Sequence, residues 1–175
     1  MRLLGNPLVW LVPVRHRCGY GVHSPFAFRF ITEVIYENAR FYRYATLDRQ
    51  LKPWQWLRRR KGLHLLLRLA NWQQPASMVV RNCSLLEPLY LQAGCQRAVL
   101  YDSYPEGGVD LICLGSPDEE ALCHLHPGTL LLLDRLDRHR EWFGRLPSVV
   151  SFDLGDMGIA FFDPQYYKQA YIVNF

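Results

Sequence analysis

"VDLICLGSPDEEALCHLHPGTLLLLD", residues 109–134, reads as strand, helix, strand. Val109–Gly115 is a short, mostly apolar run, and Thr129–Asp134 is a second one with four consecutive leucines before its last residue. Between them, Pro117 opens a predicted helix over residues 117–126, closed by Pro127-Gly128. Ser116 and Glu119 stand at capping-box spacing, and acidic residues crowd the first turn, where the helix dipole favours them. A strand, a ten-residue helix and a strand make a βαβ unit, which predicts parallel strands buried on both faces.

The same alternation extends in both directions. Upstream, "SMVVRN" (77–82) is predicted as a strand, residues 84–93 as a helix and "RAVLYD" (97–102) as a further strand. The link from Asp102 to Val109 is too short for a helical crossover, which takes a dozen residues or more. Downstream, residues 135–146 read as a helix. "SVVSFDL" (148–154), "GIAFF" (158–162) and "QAYIVNF" (169–175) then read as strands joined by tight turns, hence as antiparallel neighbours.

Residues 24–72 follow a helical grammar instead. Ser24 is a good N-cap and Pro25 a good first helical residue for a helix over 25–39, whose apolar positions Phe26, Phe30, Ile31, Val34 and Ile35 share one face. A second helix is predicted over 45–62, interrupted or started at Pro53, and a third over 63–72. The chain thus divides into an N-terminal arm and helical cap (1–75) and an α/β part (76–175) within one compact domain.

Bulk composition narrows the classes. The chain has 175 residues, half of them hydrophobic, so it can bury a real core. A net charge of +4 is mild for a nucleic-acid binder. Arg58-Arg59-Arg60-Lys61, beside Trp54 and Trp56, reads first as a solvated helix end and second as a phosphate-binding patch. Five cysteines without a CxxC pair fit a reducing compartment and neither a disulfide framework nor a zinc site. The apolar N-terminus "MRLLGNPLVWLVPVRHR" is broken by Asn6, Pro7 and Pro13, so it is read as an arm that packs on the body or on a partner, not as a signal or membrane segment. The expected setting is soluble and cytoplasmic.

His23-Ser24-Pro25-Phe26 before a helix, "LLLRLANWQQPASMVV", "DLICLG", "TLLLLD" and "SFDLGDMGIAFF" together resemble the bacterial class I S-adenosylmethionine-dependent methyltransferases. The nearest branch is the O-methyltransferase-like one with an HSPF element near its N-terminus. The resemblance implies a Rossmann-like, methyltransferase-type three-layer sandwich with N-terminal helices over the active-site mouth and an antiparallel C-terminal end. It also implies a cofactor site at the carboxyl ends of the first strands. His23 and Asp134 become candidates for contact with substrate.

The middle of the chain departs from that pattern. The family shows an acidic residue and glycines in the turn after its first strand; here residues 81–88 read Arg-Asn-Cys-Ser-Leu-Leu-Glu-Pro, with no glycine. From Met78 to Leu114 there are 37 residues, where two βαβ crossovers need about 60, so the sheet is expected to have lost a strand–helix pair. Gly115 replaces an expected aspartate, and Arg135 follows Asp134 where a second acid is expected. The cofactor candidates that remain are Asn82, Ser84, Asp102 and Gly115. No metal is expected: Asp134, Asp137 and His139 read as capping and surface residues, and His124 and His126 are two apart and point to different faces of the predicted helix.

Two functions follow. One is a methyltransferase-like protein that has lost its cofactor site and serves a binding or structural role, its apolar arm and five tryptophans suiting a protein partner or a homo-oligomer. The alternative is an active O-methyltransferase that holds S-adenosylmethionine by an altered turn. A nucleic-acid-binding module comes third.

Overall fold

The computed structural model describes residues 24–175. His23, Cys18, the hinge at 19–21 and the apolar arm expected to meet a partner lie outside the described residues. Ser24 accepts a hydrogen bond from the Ala27 amide (3.3 Å) and Pro25 takes the first helical position of α1 (Pro25–Phe30). The helix then widens into a π turn over Ile31–Ile35, closed by Tyr36 N to Ile31 O (2.9 Å). It was expected to reach residue 39. It stops once its apolar face is spent, since Phe30, Ile31, Val34 and Ile35 are buried and a polar run follows.

After a short α2 (Tyr44–Asp48), one helix, α3 (Pro53–Gln73), replaces the two separate ones expected over 45–62 and 63–72. Gly62 lies inside it. A mid-helix glycine costs about 1 kcal/mol, and the burial of Leu63, Leu65, Leu66, Leu67, Leu69 and Ala70 on the sheet and on the next helix outweighs that. The next helix, α4 (Leu86–Gly94), meets α3 most closely at Gly94, where a Cβ would lie 2.2 Å from the Leu67 carbonyl oxygen.

Seven strands form one sheet: β1 (Ser77–Arg81), β2 (Val99–Tyr101), β3 (Leu111–Leu114), β4 (Leu130–Asp134), β5 (Val150–Asp153), β6 (Met157–Phe161) and β7 (Gln169–Ile172), in the order β2-β1-β3-β4-β6-β5-β7. β2, β1, β3 and β4 are parallel, and β6 runs antiparallel between β4 and β5. α4 is the crossover from β1 to β2. Residues 102–110 return from β2 to β3 without a helix, as the length of that link requires. Asp110 anchors the return, accepting from the Ala76 and Ser77 amides (2.9 Å each) and from Ser77 Oγ (3.0 Å). The hydrogen bonds outweigh the effect of burial and hold its carboxyl below the usual range.

Alternate side chains of the central strands feed two cores. Met78, Leu111, Cys113, Leu132, Phe152 and Ile159 pack with α1, α3 and α4. Val79, Ile112, Leu114, Leu131, Leu133 and Ala160 face the other way, with α5 (Leu136–Gly144). The result is a three-layer α/β protein with a mostly parallel sheet, an arrangement compatible with a Rossmann-like fold.

Two expectations are corrected. The crossover between β3 and β4 is a single 3-10 turn, Glu120–His124, in place of a ten-residue helix. The capping box is not made, because Asp118 caps the Glu120 amide (3.1 Å) and Glu119 is drawn off to Trp142 Nε1 (2.7 Å) on α5. The loop is pinned further by the Tyr104 ring stacked on His124 (4.7 Å) and by His124 Nδ1 against the Gly107 carbonyl (2.9 Å). Second, β7 is not a neighbour of β6. It pairs with β5 in parallel, Val150 opposite Gln169 and Asp153 opposite Ile172. Both edges of β6 are already taken by β4 and β5, so the last strand adds to the nearby free edge of β5.

Candidate functional site

In an open parallel sheet the ligand crevice lies outside the carboxyl ends of the strands, where successive connections leave in opposite directions. Here that point is between β1 and β3, since β2 lies on one side of β1 and β3 on the other. Two loops of the chain meet there. Asn82 turns sharply out of β1 with φ +57°, a conformation that asparagine tolerates better than most residues. The Gly115 amide donates to the Arg81 carbonyl (2.9 Å). A Cβ on Gly115 would stand 1.9 Å from the Asn82 carbonyl oxygen. Gly115 is therefore needed for the contact between the two loops, and Asn82 contributes turn geometry.

Arg81 closes the outer side of the same point. Its guanidinium lies 3.7 Å from Asp118, 5.7 Å from the Tyr104 ring centroid and 3.5 Å from the Asp102 carbonyl oxygen. Asp102 is exposed, engages Arg81 by its backbone and does not line the main cavity. Below the turn, Cys83 and Cys113 approach with sulfurs 3.9 Å apart. Contact with the Cys83 thiol and complete burial push the Cys113 thiol up, so it behaves as a packed thiol and not as a nucleophile. Gly115→Ala is expected to destabilise the protein by about 1–3 kcal/mol, the usual cost of overpacking, read as a lowered urea midpoint.

The open space lies one strand further along, beneath α3. A cavity of about 500 Å³ runs between α3 and the ends of β3, β4 and β6. Its walls include Leu63, Leu66, Leu132, Leu154 and Met157, and its polar end is a cluster around Arg59. Arg59 Nη2 donates to both Glu87 and Asp134 Oδ2, the latter at 2.9 Å. Its Nη1 reaches Ser84 Oγ at 3.4 Å. The Ser84 hydroxyl donates to Glu87 and accepts from the Leu86 amide (3.3 Å), which steadies the start of α4. Burial raises the Asp134 carboxyl above its usual range, the charge of Glu87 adds to that, and Arg59 offsets only part of it. A carboxyl with a raised pKa at the mouth of a cavity is the group best suited to hold or move a proton there.

Of the candidates read from the sequence, the structure brings Ser84 and Asp134 into one cluster and joins Asn82 to Gly115 through the backbone. Asp102 belongs to neither. Asp134 faces Arg59 and does not gather with Asp137 and His139; among the described residues no three His, Cys, Asp or Glu side chains converge to hold a metal. Three residues of the basic run, Arg59, Arg60 and Lys61, have partners within the protein. Arg59 binds the cavity carboxylates, Arg60 binds Asp48 (2.7 Å) and lies over Trp56, and Lys61 lies over the Phe175 ring (4.2 Å). Of the centre of the cluster, the sequence marks Arg59 only as one of four consecutive cations and Glu87 only as part of the glycine-free turn, neither as a site residue. Glu87 sits among Leu85, Leu86, Pro88 and Leu89, and a lone acid in so apolar a segment was the available signal.

No family model matches this sequence, and no curated protein matches it. No helix among the described residues is long and apolar enough to cross a membrane.

Proposed function

We propose that the chain is a methyltransferase-like protein that no longer takes S-adenosylmethionine and acts as a binding protein through the cavity beneath α3. The carrying observation is the contact between the Asn82 and Gly115 loops. The methionine part of the cofactor needs a turn along which the backbone can be approached, and the glycine-free turn with its Asn82 carbonyl close against Gly115 supports the loss of that room. Arg81 adds a cation at the same point, unfavourable for a sulfonium ligand. The residues present do not fit the cofactor, so no methyl transfer is routed through them. The internal engagement of Arg59, Arg60 and Lys61 likewise favours this reading over a nucleic-acid interface.

Calorimetric titration with S-adenosylmethionine and with its demethylated product, each with and without magnesium, tests the proposal. No saturable heat up to millimolar ligand is expected. A micromolar dissociation constant for either would overturn it in favour of an active O-methyltransferase with an altered turn.

A further inference from the structure

A second pocket, of about 520 Å³, lies along another face of α3. Arg60, Lys61, His64 and Arg68 recur there at helical spacing, facing the segment 35–38 and Phe175. This pocket shares Leu57, Lys61 and Phe175 with the cavity described above, but none of the Arg59 cluster lines it.

Its charges are unevenly matched. The Asp48 carboxylate is fully committed, to Arg60 Nε (2.7 Å), His64 Nε2 (2.8 Å) and Tyr90 OH (2.9 Å). Burial lowers the His64 pKa in spite of Asp48, whose carboxylate lies against its Nε2. Lys61 and Arg68 share the recess with one carboxylate, Glu37, which also accepts from the Ala39 amide (2.6 Å), and Arg68 also meets the Tyr44 hydroxyl. Arg68 is 9% exposed, its Nη2 donates to the Ile35 carbonyl (2.9 Å), and its buried Nε–H has no partner. An unmet donor on a buried cation is costly, and structures that keep one have a use for it. Burial, helped by the charge of Arg68, also depresses Lys61.

We infer that this pocket is a binding site for an oxyanion, a phosphate or carboxylate group that sits between Lys61 and Arg68. Trp56, Leu57 and Phe175 provide apolar surface for an organic body attached to it. A charged oxygen acceptor answers two forked or ammonium donors at once, where a neutral ligand would answer neither charge. This inference does not depend on whether the methyltransferase cofactor binds.

The test is an NMR titration of the full chain with inorganic phosphate, phenyl phosphate and neutral benzyl alcohol, following the Arg Nε–H and Trp indole signals. Saturable shifts of the Arg68 Nε–H signal are expected with a phosphate probe at a dissociation constant of about 1 mM or tighter, and none with benzyl alcohol. Lys61→Gln, at a half-exposed position, should fold normally and weaken phosphate-probe binding about tenfold or more. If phenyl phosphate binds and inorganic phosphate does not, the site serves an organic anion; if both bind alike, a free anion suffices. Absence of a saturable Arg68 shift with either phosphate, or equal response to benzyl alcohol, would overturn the inference. So would unchanged affinity in Lys61→Gln.

Discussion

Arg59→Met is expected to lower the stability of the folded protein by about 3–5 kcal/mol at neutral pH, the usual result of removing one partner from a buried ion pair. The Glu87 side chain is only 2% exposed, and Arg59 is the cation that it shares with Asp134. Without Arg59, two carboxylates face each other beneath α3, with the Ser84 hydroxyl left on Glu87 and the Arg135 amide left on Asp134. The pH dependence has a definite sign. Asp134 already has a raised pKa in the fold, and a carboxyl of that kind stabilises the protein below its unfolded value and loses that contribution as pH rises through the folded one. Removing Arg59 raises it further, so the penalty should be greatest at neutral pH and shrink as the solution is acidified into the carboxylate range. Urea unfolding at several pH values reads this directly. A loss below 1 kcal/mol at neutral pH, or a loss independent of pH, would mean that the cluster is hydrated and not a buried network. A triple variant with Glu87→Gln and Asp134→Asn added should recover much of the stability, because it removes the unpaired charges themselves.

Asp48→Ala should be comparably damaging. The carboxylate is 13% exposed, and three donors from two helices converge on it. Tyr90, itself fully buried, would lose its acceptor, and each buried donor left unmet costs about 1–3 kcal/mol. Here the pH sign is reversed. Burial works against the charge on Asp48, but hydrogen bonds from His64, Arg60 and Tyr90 outweigh it and hold the carboxyl below its usual range. Such a group stabilises the fold above its unfolded pKa and loses that contribution as pH falls through the folded one. Wild type should therefore lose stability on acidification through that window, while Asp48→Asn, weaker at neutral pH, should show a shallower acid limb. Parallel acid limbs in the two proteins would show that Asp48 does not carry this contribution.

Local grammar was a good guide where a segment's neighbours lie close in the chain. The strands β1 and β2, the helices α4 and α5 and the hairpin of β5 and β6 fall where periodicity and turn residues put them, within a few residues. The short link after Asp102 announced a crossover without a helix. What escaped was settled by distant partners. Glu119 has the right spacing to cap a helix, but an indole on α5 competes for it. Gly62 would end many helices, and here a leucine-rich face carries α3 across it. The partner strand of β7 depends on which sheet edge remains free, a property of the assembled sheet. At the site, Ser84 and Asp134 were visible as polar residues near strand ends, whereas Arg59 sat in a run of four cations whose separate uses no pattern of charge reveals.

The placement of β6 between β4 and β5 has a consequence for synthesis on the ribosome. The leucine-rich strand β4 pairs on one side with β3, and its other edge is covered only by residues 157–161, near the end of the chain. Until those residues have emerged, the nascent chain carries the open edge of its most apolar strand, a template for pairing with other chains. A ribosome that stalls after β5 would release the sheet split in two, with β5 denied its place beside β6 and β7 denied its place beside β5. Residues 157–172 thus act as the clasp of the whole sheet, and a chain cut short before them is the form that chaperones and proteases would have to clear.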